Sequence, residues 1–146
     1  MQNNNIIVNR LNITGGEPST VPVVVNDILE RASLNKYKNL HIHLNTNGLM
    51  ESSQELMRHS RWDSISVSLH HYDLKKLSQI YGVEIPNKAL AFDGIDMNKI
   101  NASCNLVKGY IDSNIEVVRM LQFAVSLGIP LSLIHISEPT RPISIS

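Results

Sequence analysis

The sequence predicts an α/β fold in which parallel strands alternate with helices, and three observations lead to that prediction. Short apolar runs rich in β-branched residues recur along the chain, as buried strands require. Helix-capping residues and helical periodicity follow these runs. Strand and helix alternate in this way four times, which is the pattern of parallel βαβ units.

The first predicted unit is a strand over residues 6–13 that continues into the turn Thr14 to Pro18, which contains two glycines. Glycines let the backbone turn sharply and approach a ligand closely. Glu17 offers oxygen acceptors to a cation such as an amino group. Thr20 is the predicted N-cap of a helix over residues 23–32. An ordinary loop between strand and helix is the alternative interpretation, because a short glycine motif has little specificity alone.

The second predicted unit is a strand over residues 40–44 that closes in the turn Asn45 to Gly48. Ser52 and Glu55 have the spacing of a capping box, which predicts a helix that ends near Ser60.

The third predicted strand, over residues 64–69, alternates polar and apolar residues with period two. Asp73 is the predicted N-cap of the next helix, which extends through Tyr81 and ends at Gly82. A further helix is predicted from Pro86 through Phe92, because proline suits the first turn of a helix.

The fourth predicted strand covers residues 99–107. Ser113 and Glu116 form a second capping box, and the apolar periodicity that follows predicts a long helix ended by Gly128. Ile129 and Pro130 begin the next strand.

The loops that follow the four strands are predicted to meet, because functional groups of parallel α/β folds lie at the carboxyl ends of the strands. Their polar residues would then converge on one rim. These loops are residues 14–18, 45–48, 68–71 and 105–109.

The composition excludes several functional classes. Thirteen basic residues balance thirteen acidic ones, so the charge gives no support for a nucleic-acid or membrane-surface partner. No apolar run approaches the roughly 18 residues of a membrane span, and the polar start does not resemble a signal peptide. The only cysteine, Cys104, excludes an internal disulfide and fits a cytoplasmic setting.

The motifs in these loops resemble those of radical S-adenosylmethionine (radical SAM) enzymes. Thr14 to Pro18 resembles the GGEP motif, Thr46–Asn47–Gly48 the TNG turn, and residues 66–69 the end of a later strand in that family. Residues 101–109 and the helix after them are similar to the branch that contains the molybdenum-cofactor GTP cyclase. The resemblance covers about residues 6–130 and implies a piece of a partial (β/α)6 TIM barrel, from the second strand to the start of the sixth.

The resemblance also implies roles for particular residues. Gly15, Gly16 and Glu17 would bind the methionine amino group of S-adenosylmethionine, with Pro18 completing the motif. Thr46, Asn47 and Ser68 would lie near the ribose and the methionine. The remaining candidates are Asn101 and Asn105 on the cofactor side, and His70 and Lys108 on the substrate side.

The family's activity needs a 4Fe–4S cluster, which a C-x-x-x-C-x-x-C loop holds. That loop precedes the GGEP strand in the family, and no such loop occurs before Ile6. Cys104 cannot replace it, because a cluster needs several converging thiolates. We therefore expect this polypeptide alone to be inactive. In a longer parent, reductive cleavage of S-adenosylmethionine would yield a 5′-deoxyadenosyl radical that abstracts hydrogen from the substrate.

The resemblance implies a small-molecule or peptide substrate and a reductant such as flavodoxin or ferredoxin. Two other hypotheses remain open from the residues themselves. His41 and His43 have the H-x-H spacing of metal-dependent barrel hydrolases, although they lie early in their strand. The second hypothesis is a binding module that has the same fold but no iron–sulfur cluster.

The last segment differs from the rest of the sequence. Residues 131–146 begin with Leu131 to Arg141, which looks like the translation of a sequencing-library adapter. We therefore predict a radical SAM core over residues 1–130 and a non-native tail over residues 131–146, which makes the chain a gene fragment.

Overall fold

The computed structural model of the protein describes residues 6–135. Its five strands are all parallel and lie in sequence order in one sheet, so the predicted α/β fold is confirmed. The strands are β1 (Arg10–Ile13), β2 (His41–Thr46), β3 (Ser64–Ser68), β4 (Ile100–Leu106) and β5 (Leu131–His135). The helices are α1 (Pro22–Ala32), α2 (Glu51–Met57), α3 (Leu74–Tyr81) and α4 (Asn114–Leu127).

The sheet has one apolar and one polar face. Crossovers of the usual right hand between neighbouring parallel strands place successive helices on the same side, and the apolar face is buried there. Its core residues are Ile42, Leu44, Ile65, Val67, Ile100 and Ala102, each no more than 2% exposed. Alternation puts the intervening residues of β1 to β4 on the other face, here called the open face. They are Arg10, Asn12, His41, His43, Asn45, Ser64, Ser66, Ser68, Asn101, Ser103 and Asn105.

The first strand is shorter than predicted. It begins at Arg10, which pairs with His41 at the start of β2. Ile6, Ile7 and Val8 run beyond the end of that partner strand, so they have no ladder to join and lie exposed. Their apolar character indicated a buried strand, and that part of the prediction is wrong.

Two helix starts also differ from the prediction. Thr20 does not cap α1, because its hydroxyl donates to the Glu17 carbonyl at 2.7 Å and closes the short 3-10 turn Pro18–Thr20 instead. Ser52 does not cap α2 either, since that helix begins at Glu51 and its N-cap, Met50, makes no side-chain bond. Ser52 is therefore already inside the helix, which also ends earlier than predicted, at Met57.

The predicted helix from Pro86 through Phe92 does not form, and turns replace it. Phe92 has a positive φ of 51°, which no α-helix allows, while its side chain is only 4% exposed. Burial of this phenyl group therefore takes precedence over local helix propensity.

The other caps agree with the prediction. The Asp73 carboxylate accepts hydrogen bonds from the backbone of Lys75 and Lys76 and starts α3, while Gly82 ends it with a φ of 67°. Ser113 accepts from the Glu116 backbone at the start of α4, which Gly128 ends.

Two further predictions concern a membrane span and the C-terminal tail. No helix within residues 6–135 is long and apolar enough to cross a membrane. Residues 131–135, predicted to be adapter-derived, pair with β4 as β5. Strand pairing uses main-chain groups, which every sequence has, so it does not tell whether these residues are native. Their derivation from an adapter therefore remains a prediction. Residues 1–5 and 136–146 lie outside the described part of the chain.

Candidate functional site

The loop after β1 brings open backbone to the carboxyl ends of the strands. Gly15 and Gly16 have φ angles of 89° and 47°, in the left-handed region that favours glycine. A Cβ atom added to either glycine would meet no other atom within 4 Å, so their backbone faces free space. The two glycines therefore form a tight turn whose backbone is accessible at the carboxyl ends of the strands.

Glu17 connects this loop to the loop after β2. Its Oε1 accepts from the Thr46 hydroxyl at 2.6 Å and from the Ser19 backbone N–H at 3.2 Å. Its Oε2 accepts from the Asn47 backbone N–H at 2.8 Å. A carboxylate has about four lone-pair positions, so one acceptor position is left for a ligand.

The loop after β2 is held by its own side chains. The Asn47 Oδ1 accepts from the backbone N–H of Leu49 at 3.1 Å and from the Ser53 hydroxyl at 3.3 Å. Ser53 also shares a hydrogen bond with buried Ser19 at 2.9 Å, which fixes the first loop against α2. Hydrogen bonds through Glu17 and Ser53 therefore join the two loops.

The end of β3 completes the site with two rings. His70 and Tyr81 stack at 5.6 Å between ring centroids. The Tyr81 hydroxyl donates to the Ser68 carbonyl at 2.7 Å, and the His70 Nδ1 accepts from the Asn105 backbone N–H at 3.1 Å. Burial, with a smaller effect of the Glu17 charge, raises the pKa of Tyr81, so this hydroxyl stays a donor at neutral pH.

These groups line a cavity of about 310 Å³. Its lining residues are Thr14, Gly16, Glu17, Asn45, Thr46, Asn47, Ser68, His70 and Tyr81. The sequence predicted six of them as site residues, and Gly15 and Pro18 adjoin the lining.

The remaining predicted site residues lie outside the cavity. Asn101 accepts a hydrogen bond from Ser66 on the open face, and Asn105 lies further along the same strand. Lys108 is exposed beyond the end of β4.

Thr14 and Asn45 lie in the loops that were predicted to meet at the rim, although neither was assigned a role of its own, whereas Tyr81 was missed. Thr14 immediately precedes the glycines, and Asn45 continues the alternation of His41 and His43, so each had a local signal. Tyr81 had none, because it reaches Ser68 from the far end of α3, 13 residues away in sequence.

His41 and His43 share a hydrogen-bond partner on the neighbouring strand. Both rings contact the Ser64 hydroxyl, at 2.9 Å from His41 Nε2 and 2.6 Å from His43 Nδ1. Across residues 6–135, no three side chains of His, Cys, Asp or Glu lie close enough to hold a metal ion. The H-x-H spacing is thus explained by hydrogen bonding across the sheet.

Three histidines are expected to make the fold sensitive to mild acid. Burial lowers the pKa of His43, His70 and His71 below the ordinary value of 6.5. The unfolded chain then binds more protons than the folded chain, so stability is full above pH 6.5 and falls as pH drops toward the folded pKa values.

The measurement is the urea midpoint at about pH 7.5, 6 and 5, where unfolded carboxylates remain largely ionised. Replacing His70 with Gln should reduce the fall, because one titrating ring is gone. A midpoint that stays constant over this range would contradict the prediction.

Comparison with known proteins bears on the fold. No protein-family model and no curated protein matches the sequence. Solved structures do match. Streptococcus suis SuiB bound to S-adenosylmethionine has a TM-score of 0.64 and 22% identity, over 90% of this chain and 30% of its own.

Two further structures share the architecture. A radical SAM methyltransferase from Sphaerobacter thermophilus matches with a TM-score of 0.55 and 16% identity, over 89% of this chain and 52% of its own. A domain of pyruvate-formate lyase-activating enzyme from Bacteroides vulgatus matches with a TM-score of 0.51 and 12% identity, over 84% of this chain and 97% of its own. The chain has the fold of part of these enzymes. It spans about a third of the length of SuiB.

Proposed function

We propose that this chain is part of a radical SAM enzyme and that the cavity at the strand ends binds S-adenosylmethionine. The observation that carries the proposal is the convergence of two separate motifs, in which Glu17 reaches Thr46 and Asn47 and closes one cavity. The fold shared with SuiB, solved with S-adenosylmethionine bound, supports it.

The residues present fit this cofactor. The backbone at Gly15 and Gly16 is open to a ligand, and Glu17 keeps one acceptor position for the methionine ammonium group. An ammonium donor bound to a carboxylate makes a hydrogen bond about twice as strong as a neutral one. In this proposal Thr46, Asn47 and Ser68 bound the space for the ribose and the methionine.

The residues present do not fit a 4Fe–4S cluster. Cys104 lies in β4 on the buried face, and burial raises the pKa of its thiol to about 11, which disfavours the thiolate that iron requires. Reductive cleavage of the cofactor and hydrogen abstraction therefore belong, in our proposal, to a longer parent protein that supplies the cluster. The chain's own part is to bind and orient the cofactor.

The substrate we propose is a peptide, with a small molecule as the alternative. SuiB has also been solved with its precursor peptide SuiA, with a TM-score of 0.64 over 88% of this chain. His70 borders the cavity and Lys108 lies beyond the next strand, so we retain both on the substrate side. A cytoplasmic location and a flavodoxin or ferredoxin reductant complete the proposal, and the branch of the molybdenum-cofactor GTP cyclase remains a prediction.

Titration calorimetry with S-adenosylmethionine tests the binding function. We expect saturable binding that weakens at least about tenfold in Glu17→Gln, roughly 1.4 kcal/mol, because the charge facing the ammonium group is removed. Glu30→Gln is the matched control, since Glu30 is exposed on α1, and it should leave binding unchanged. A folded wild-type chain that shows no saturable binding would refute the proposal.

Sequencing the source DNA outward tests the catalytic part. An in-frame C-x-x-x-C-x-x-C about 30 residues upstream, one typical βα unit, would support a radical enzyme. A true start at Met1 without such a loop would withdraw the catalytic claim and leave a cluster-free binding module.

A further inference from the structure

The open face of the sheet is unusually rich in asparagine and serine. β3 presents Ser64, Ser66 and Ser68 there, and β4 presents Asn101, Ser103 and Asn105. Asparagine is depleted in strands, where β-branched and aromatic residues are preferred. Positions that break a local propensity rule concentrate at functional sites, so this composition points to a function.

The lower part of this face satisfies itself. Ser64 bonds with His41 and His43, and the Ser66 hydroxyl donates to the Asn101 Oδ1 at 2.7 Å. These side chains hold one another across the strands.

The upper part, nearest the cavity, is different. Ser68 and Ser103 are paired in register on β3 and β4, and Asn105 follows two residues later. Among the hydrogen bonds within residues 6–135, none uses the hydroxyls of Ser68 and Ser103 or the carboxamide of Asn105. All three residues are half-buried.

His70 adds a donor of fixed orientation. The last ladder bond between these strands runs from the Leu69 N–H to the Ser103 carbonyl at 2.8 Å, and the His70 ring then accepts the Asn105 N–H at its Nδ1. A neutral imidazole that accepts at Nδ1 carries its proton on Nε2. Tyr81 holds the ring by stacking. His70, Ser103 and Asn105 are called the upper polar patch below, and Ser68 borders it from the cofactor cavity.

We infer that the upper polar patch binds an uncharged amide of the substrate, as in a peptide main chain, an assignment that rests on the proposed function. It moves Asn105, which lies outside the cavity lining, from the cofactor side to the substrate side. The Asn105 carboxamide offers one donor group and one acceptor, which match the acceptor and donor of another amide at two points. The Ser103 hydroxyl can donate or accept. The patch itself contains no charged side chain, and the carboxylate of Glu17 lines the adjoining cavity with His70, so an anionic group placed at the patch would lose hydration without an ion pair and would face a like charge.

The experiment is an NMR titration of the 146-residue chain with three capped dipeptides. The probes are N-acetyl-glycyl-glycinamide and its analogues with aspartate or lysine as the first residue. We expect the neutral probe to give saturable shifts of the Asn105 side-chain amide and of the Ser103 and His70 backbone signals. The aspartate probe should bind at least about fivefold more weakly than the neutral probe, a difference of roughly 1 kcal/mol.

Variants give the control. Asn105→Leu should abolish the shifts at Ser103, whereas Asn26→Leu, on the exposed surface of α1, should not. Asn105→Asp should strengthen binding of the lysine probe, because the patch then carries a negative charge of its own.

Three outcomes would overturn the inference: no saturable shift at the patch with any dipeptide, equal binding of the neutral and aspartate probes, or binding of methyl glucoside there in place of the neutral dipeptide. Calorimetry with S-adenosylmethionine on the same sample separates this result from the proposed function. If the cofactor binds and the dipeptides do not, only the amide-binding role of the patch is refuted. If the neutral dipeptide binds and the cofactor does not, only the cofactor assignment is refuted.

Discussion

Replacing Glu17 with alanine is expected to lower the free energy of unfolding by about 3 kcal/mol and to abolish cofactor binding. The substitution removes the acceptor of three hydrogen bonds, from the Ser19 and Asn47 backbones and the Thr46 hydroxyl. Hydrogen bonds to a charged group contribute about 1.5–3 kcal/mol each, and partial exposure of the site reduces their sum. The loops after β1 and β2 would then lose their main connection.

Urea unfolding measures this effect, with Glu17→Gln and Glu30→Ala as comparisons. Glutamine retains one oxygen but turns an NH₂ group toward a donor, so we expect a smaller loss of about 1–2 kcal/mol. Glu30 lies exposed on α1, and its removal should change stability by less than about 0.5 kcal/mol. If Glu17→Ala behaved like Glu30→Ala, the connecting role of the carboxylate would be wrong.

Replacing Gly48 with alanine is expected to cost about 2–4 kcal/mol, which combines a backbone and a steric penalty. Gly48 has a φ of 67°, and an added Cβ would lie 2.8 Å from the Val67 Cγ1. Val67 is fully buried in the core, so it cannot move aside cheaply.

Gly82 is a close control, because it has the same φ of 67° and no atom within 4 Å of an added Cβ. Gly82→Ala should therefore show only the backbone penalty, about 1–2 kcal/mol. Val67→Ala should cost less in the Gly48→Ala background than alone, since it removes the clash. Equal losses for the two glycine variants in urea unfolding would contradict the steric contribution.

Sequence predicted those parts of the fold that depend on neighbours in the chain. Asp73 and Ser113 cap their helices through backbone groups two or three residues away, so their signals are local. Ser52 has the same local signal but fails, because α2 starts one residue earlier at Glu51. Phe92 fails because burial of its side chain, a tertiary effect, selects a backbone that no local rule favours.

At the candidate site, too, local features were predictable from the sequence and long-range contacts were not. The motif at Glu17 and the turn at Thr46 were each visible in sequence, and parallel order placed both at one rim. Their direct hydrogen bond was not visible, since no periodicity specifies a contact across 29 residues. The role of Tyr81 was hidden for the same reason.

The division of the sheet into two faces has an evolutionary consequence. Stability resides on the buried face, where exchanges of core residues such as Leu44 or Val67 are costly. Ser103 and Asn105 lie on the open face, away from these core residues, so most exchanges there should leave folding nearly intact. A lineage with this sheet could change the molecules it recognises, through successive substitutions on the open face, without first acquiring compensating stability.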